Sequence, residues 1–502
     1  MLPALLLAAI AFVPLDDRPV TAQLPAMLGR IAGVRVDVPP PSQLGRHLTA
    51  GDSDALVRWL NHATHDRETS AFVVSSDMLA YGGLIASRAP GASYGDARAR
   101  LTQLRTTRAA RPDAWIAVFG TVMRLAPTGA PSSSGFFAAY PVWTYLQQYA
   151  NLHDPPRPNE AATAQRLRGE IPPATLDAYL ATRARDYAVD RFLLQLTADG
   201  AIDRLVLGQD DAGPVGLHVK EVHALQSVVR DAGIGARVSI EPGADELGMA
   251  LVASAIARSA HWQPRIAVRY STPDGAAYQD PLEFLPVSGA IESLVALCGG
   301  VRVDDRPDIV LYVRLPATGA EQDDAFAAAM SSDVSSGRAV ALADLSFLQS
   351  YASQKSFAER LLRSGLASRL EAYAAWNTNA NTVGTALAEA VAAGAGRRTG
   401  TYDDLAHRTF TFVRFLDDYA FHDDVRIGLN ALLDASGTVD RSLLPPEVAA
   451  PLAERNRALL WNRAETLLRQ IDPGYHIAAM TIELPWSRTF ETRIDVGIAP
   501  DL

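Results

Sequence analysis

Short apolar runs recur along this chain, each closed by a polar cluster and followed by a stretch of helical periodicity. Six such runs precede Trp262, at 10–15, 34–38, 71–74, 115–119, 205–209 and 237–240; further runs follow at 265–270, 308–313 and 338–343, with a small-residue strand just ahead of Asn377. In most of them, as at 10–13, 71–74, 115–119 and 205–207, the apolar positions are consecutive rather than alternate, which is the pattern of strands buried on both faces of a parallel sheet. Between them, 52–62 and 94–108 are long enough for crossover helices, and 176–198, 217–230 and 355–364 read the same way. The predicted fold is α/β, with two mainly parallel lobes at 10–262 and 263–398 and a helical region at 399–502. A last strand at 477–484 returns toward the body. The alternative is an α/β barrel with an extension.

Residues 127–190 break the rhythm. A Pro/Ser/Gly loop runs into Phe136, Phe137, Tyr140, Trp143 and Tyr145, rings that suit either a lid or sugar platform over a site or the seat of an insertion.

The polar clusters fall where ligands bind in open α/β sheets, beyond the carboxyl ends of strands. The first run ends in Asp16, Asp17 and Arg18. The third ends in Asp77, with Tyr81 and Arg88 close behind, and the fourth in Arg124. The fifth ends in Asp210 and Asp211, then a Gly/Pro turn. Glu241 ends the sixth, and Asp344 ends the run at 338–343. Asp245 and Glu246 are expected in the first turn of a helix reaching Ser259, where carboxylates cap regardless of function. Asn377, Asn379 and Asn381 are spaced by two, so an extended segment would put all three amides on one side to meet ligand hydroxyl or acetamide groups. A helical turn there would fan them instead. Asp304-Asp305-Arg306-Pro307 repeats the tetrapeptide at Asp16, but it precedes its strand where the first follows one, so it marks no internal repeat.

Charge narrows the classes. The 502 residues carry a net charge of −10, which argues against nucleic acid as a partner. The only lysines, Lys220 and Lys355, lie in no glycine-rich phosphate loop, and the single cysteine, Cys298, excludes an internal disulfide. No run is long enough to span a membrane. The apolar start, 1–13, lacks a basic n-region; it favours export over the cytoplasm, with any signal ending by about Ala9. No feature sets the oligomeric state.

Pro14-Leu15-Asp16-Asp17-Arg18-Pro19, the segment from Ser75 through Tyr81-Gly82-Gly83 to Arg88, the turn from Asp210 to Gly216, Glu241 to Gly248, and Ala375 to Ala388 occur in one order. Together they resemble a large bacterial family defined by a domain of unknown function, over roughly 10–491. The resemblance implies that these motifs belong together, and that export is common among members; it implies no activity.

The chain shows no HExxH, GxSxG, Walker or strand-associated GxGxxG motif, so carboxylates carry the chemistry. The expected function is a carbohydrate-active, glycosidase-like hydrolase, acting on a glycan or another small molecule, N-acetylated sugars included. Asp211 is its general acid and Asp210 the orienter of a substrate acetamide. It needs no cofactor. Two rivals are a hydrolase with an Asp/Asn site for Mg²⁺ or Ca²⁺, and an exported binding protein for a sugar or cell-wall fragment.

Overall fold

In the computed structural model, residues 9–127, 142–210, 212–280, 283–316, 318–346, 351–438 and 441–501 are described. They form two compact units. Unit 1 comprises 1–17, 36–248 and 281–284; unit 2 comprises 18–35, 249–280 and 285–502.

Unit 1 is built on a six-stranded sheet: β1 (Ala9–Val13), β2 (Arg35–Asp37), β3 (Thr69–Ser75), β4 (Trp115–Val122), β5 (Arg204–Gln209) and β6 (Val238–Pro242). The order is β2-β1-β3-β4-β5-β6, and every pairing from β1 to β6 is parallel. The expected strands are all present. β1 is buried along its length while edge strand β2 is short and partly exposed, as an edge requires. Phe12 and Phe119 stack at 6.4 Å between centroids, and a Cβ on Gly248 would lie 3.0 Å from both rings, which explains the glycine that closes the Glu241 motif.

The stretch 94–108 forms two helices, Tyr94–Leu101 and Gln103–Ala110, rather than one. Within 127–190, residues 128–141 lie outside the described residues, and with them Phe136, Phe137 and Tyr140. Tyr149, Leu146, Leu167 and Tyr179 form a core with Met123 and Leu125, and Tyr145 packs against it, so these rings seat the insertion on unit 1.

Unit 2 carries β7 (Arg265–Tyr270), β8 (Val301–Arg302), β9 (Ile309–Arg314), β10 (Ala339–Asp344) and β11 (Ala372–Ala374), all parallel, in the order β11-β10-β9-β7-β8. Counted along the chain, both sheets run second, first, third, fourth, fifth, and that of unit 1 adds a sixth. Both are open rather than barrels. In this order the crossovers diverge between the first and third strands, leaving a crevice at their carboxyl ends. In unit 1 that point lies between β1 and β3; in unit 2 it lies between β7 and β9.

Helix Asn379–Thr399 is buried almost all round, and its alanines and glycines are why it fits: a Cβ on Gly394 would meet Trp262 at 2.5 Å. The helical C-terminal region consists of Asp404–Arg414, an eleven-residue π-helix at Phe415–Val425, Arg426–Ala435 and Pro446–Ile471. The expected last strand is β12 (Tyr475–Glu483). It pairs antiparallel with β13 (Arg493–Pro500) instead of joining either large sheet. Among the described residues no helix is long and apolar enough to cross a membrane.

Candidate functional site

The carboxyl edge of unit 1 is assembled around the turn that follows β3. Ser75 caps helix Ser76–Tyr81 by accepting from the Met78 N–H at 3.2 Å, and Ser76 Oγ donates to the Phe119 carbonyl of β4 at 3.2 Å. Gly82 (φ 90°) and Gly83 (φ 128°) then reverse the chain. The Gly82 carbonyl accepts from Gly51 N–H at 2.8 Å, and Leu84 N–H donates to the Leu15 carbonyl at 3.2 Å, tying this turn to the end of β1. Asp16, buried, and Asp17, half-buried, follow the end of β1, the strand paired with β3, whose end leads into Asp77.

Asp77 is buried and accepts from Thr121 Oγ1, at the end of β4, at 2.9 Å. Burial pushes its carboxyl up to about 7; Thr121 and the nearby Arg88 guanidinium pull against that rise, and Asp186 adds to it. Arg88, fully buried, is ion-paired with Asp210, so one guanidinium reaches toward both Asp77 and Asp210. Asp211 lies outside the described residues.

Two carboxylates of this cluster lie on helix Pro173–Ala198 and were not among the expected site residues. Asp186 accepts from Arg185 Nη2 at 2.9 Å, and burial holds it up at about 6. Burial together with Asp186 and Asp77 raises Asp190 well above the ordinary range. Arg185 lies 4.4 Å over the Tyr81 ring, and burial with Asp186 keeps the Tyr81 phenol un-ionised. A signal was present in the chain: Leu176, Tyr179, Arg183, Asp186, Asp190 and Leu193 form a single helical stripe in which carboxylates replace apolar residues.

Other expected residues of unit 1 stand at the same edge with different partners. Arg124 donates from Nε to the Ala126 carbonyl at 3.2 Å, and its own carbonyl accepts from Arg183 at 2.8 Å. Glu241 lies within edge strand β6, buried, with Oε2 lacking a hydrogen bond among the described residues. Asp245 and Glu246 precede helix Leu247–Ser259 instead of occupying its first turn: Gly243 (φ 82°) extends the turn until only Leu247 is helical.

Arg18 belongs to unit 2, where its guanidinium lies 4.8 Å over Trp486; Arg488 lies over the same ring at 4.6 Å.

Unit 2 has a second cluster, at the ends of β9, β10 and β11. Arg314, fully buried, donates to both oxygens of Asp323 at 2.8 and 2.9 Å and from Nη1 to Asp344 at 3.1 Å. Arg414 is ion-paired with Asp417 and Asp418 of the π-helix, and Asp418 Oδ2 accepts from Ala375 N–H at 2.8 Å. Each arginine thus faces two carboxylates. Asp423 differs: neither of its oxygens finds a hydrogen bond among the described residues, and burial with Asp344 and Asp418 pushes it up to about 9, against the pull of Lys355. The hydroxyl of Tyr373 and Oε1 of Gln354 are likewise unbonded among the described residues.

The three asparagines do not share one side of an extended segment. Asn377 is left-handed (φ 52°), Thr378 caps the helix, and Asn379 and Asn381 lie in its first turn. The chain turns helical at once because Thr378 Oγ1 accepts from Asn381 N–H, a local bond that an extended strand would lack. Asn377 Nδ2 donates to Asn381 Oδ1 at 2.6 Å; Asn379 is buried, with Nδ2 unbonded among the described residues.

A family model described as "Protein of unknown function (DUF4127)" matches residues 10–495. The chain belongs to the DUF4127 family. No curated protein and no solved structure matches it. Among the described residues of this DUF4127 protein, no group of three or more His, Cys, Asp or Glu is arranged to hold a metal ion.

Proposed function

We propose that this DUF4127 protein is an acid–base hydrolase of carbohydrate substrates that works at the carboxyl edge of unit 1. The observation that carries the reading is Asp77, a buried carboxyl pushed up to about 7 near the arginine of the Arg88–Asp210 ion pair, at the sheet edge where Asp16 and Asp17 follow the neighbouring strand. Glycosidic cleavage by water needs one carboxylic acid that stays protonated near neutrality to protonate the leaving oxygen, and a second carboxylate to stabilise the sugar or direct the water. Asp77 suits the first role. Asp210, anchored by Arg88, suits the second as an orienter of a substrate acetamide. Asp211, one residue further along, is the other candidate acid, and the two are separable by substitution. Turnover of aryl glycosides and cell-wall fragments by purified protein tests the reading. Loss with Asp77→Asn places the acid at Asp77, loss with Asp211→Asn alone moves it to Asp211, and no turnover of any glycan overturns the reading.

A further inference from the structure

The sheet of unit 2 reverses its order between β7 and β9, and beyond their carboxyl ends lies an open cleft of about 400 Å³. That volume is within the range of small-molecule sites, and the position is the one that open parallel sheets use for ligands. Two loops form its walls, and hydrogen bonds fix their spacing. Ser271 Oγ accepts from Leu315 N–H at 2.9 Å and lies 2.5 Å from Thr318 Oγ1, which donates to the Leu315 carbonyl at 2.8 Å. Gly275 closes the first loop onto the sheet: a Cβ there would lie 2.8 Å from the Tyr270 side chain and 3.0 Å from that of Leu315. Val287 N–H holds the Tyr278 carbonyl at 2.7 Å. The cleft is therefore preformed.

Its chemistry is selective. The lining includes Asp274, Thr272 and Gln322, with Pro273, Tyr278 and Leu315, and, among the described residues, no Lys or Arg. Helix Ala320–Ser335 begins at this cleft, but Glu321 and Asp323 already occupy its first turn, so the positive end of its dipole is offset and an anion is disfavoured. Gln322 Oε1 accepts from Gly319 N–H at 2.9 Å, which fixes the amide and turns its NH₂ group to donation elsewhere.

We propose that this cleft binds a neutral saccharide unit, with the ring against Tyr278 and Leu315 and hydroxyl groups bonded to Asp274, Gln322 and Thr272. The inference takes its choice of ligand from the carbohydrate reading but places recognition in the other unit. Saturation-transfer NMR with N-acetylglucosamine, glucose and N,N′-diacetylchitobiose, using the full chain bearing Asp77→Asn, tests it without turnover. We expect saturation transfer from at least one saccharide, with affinity weakened about two- to tenfold by Asp274→Ala and by Gln322→Ala, as for loss of one hydrogen bond to a neutral partner. Both positions are exposed, so unchanged melting temperatures will show that the variants fold. No transfer from any of the three, transfer indifferent to both substitutions, or displacement of the sugar by choline overturns the proposal. Hydrolysis in the wild-type protein with no such binding would leave the reading for unit 1 standing and remove this one alone.

Discussion

The two units share one strand order and place buried aspartates at the same edge of their sheets, yet they balance the charge differently. In unit 2, Arg314 and Arg414 each sit between two carboxylates, so four of the five aspartates are pinned as ion pairs and Asp423 alone is left over. In unit 1, Arg88 is ion-paired with Asp210 and Arg185 with Asp186; among the described residues no arginine is ion-paired with Asp77 or Asp190, though Arg88 lies near enough to Asp77 to pull its carboxyl down. Burial raises a carboxyl and a neighbouring arginine only offsets that rise, so Asp417 and Asp186 stay up at about 6 beside theirs while Asp77 reaches about 7 and Asp423 about 9. The same architecture thus yields a cluster tied by two buried arginines in unit 2, where burial still lifts Asp417 to about 6, and in unit 1 a cluster whose Asp77, lifted to about 7, shows no ion pair among the described residues. Stability is expected to depend on the first and chemistry on the second.

The comparison breaks most visibly at Arg314. Arg314→Leu strips the cation from Asp323 and Asp344, and removing one partner of a buried pair costs roughly 3–5 kcal/mol. Denaturant unfolding should show that loss; a change below about 1 kcal/mol would mean that the pinned core is not what holds unit 2 together.

Asp77→Asn should do the reverse, lowering kcat on a hydrolysed glycan roughly 10²- to 10⁴-fold, the usual contribution of a positioned acid, with no loss of stability, since a carboxyl whose folded value lies above its unfolded one destabilises the fold once ionised. Equal loss from Asp54→Asn, an exposed carboxylate, would remove the distinction between the units.

Asp423 sharpens the contrast through pH. Its folded value near 9 lies above the unfolded value of about 3.9, so the folded protein holds a proton that the unfolded chain releases, and stability falls as pH rises between them. Asp423→Asn removes that slope: we expect a higher melting temperature than wild type, by a margin that grows toward pH 9. A margin constant from pH 5 to pH 9 would contradict the assignment.

The smallest effect concerns the start of the asparagine helix. Thr378→Ala removes the cap and should cost about 1 kcal/mol without altering turnover.

Strand positions and the α/β class were legible because buried parallel strands leave consecutive apolar runs, as at Leu205 to Leu207. β8 has two residues and does not announce itself, whereas β13 carries the alternation Ile494, Val496 and Ile498 that marks a half-buried strand. The Asn377 segment misled because spacing by two suits a strand, while the Thr378 cap that makes it helical is a single-residue signal. Carboxylates at strand ends were visible one by one. Asp186 and Asp190 left a signal only as carboxylates in the apolar stripe of their helix; that they reach this edge, more than a hundred residues after Asp77, is decided by tertiary packing. The π-helix at Phe415–Val425 has no periodicity that separates it from its α-helical neighbours, so the aspartates it buries read as surface charge.

The most direct test of the chemical role of unit 1 is the pH dependence of kcat/KM on a hydrolysed glycan, which reports the free protein's essential groups. If Asp77 donates the proton, activity should fall above a midpoint near pH 7, and that limb should vanish from the residual activity of Asp77→Asn. A profile flat from pH 5 to pH 9, or an alkaline limb that survives the substitution, would contradict the account.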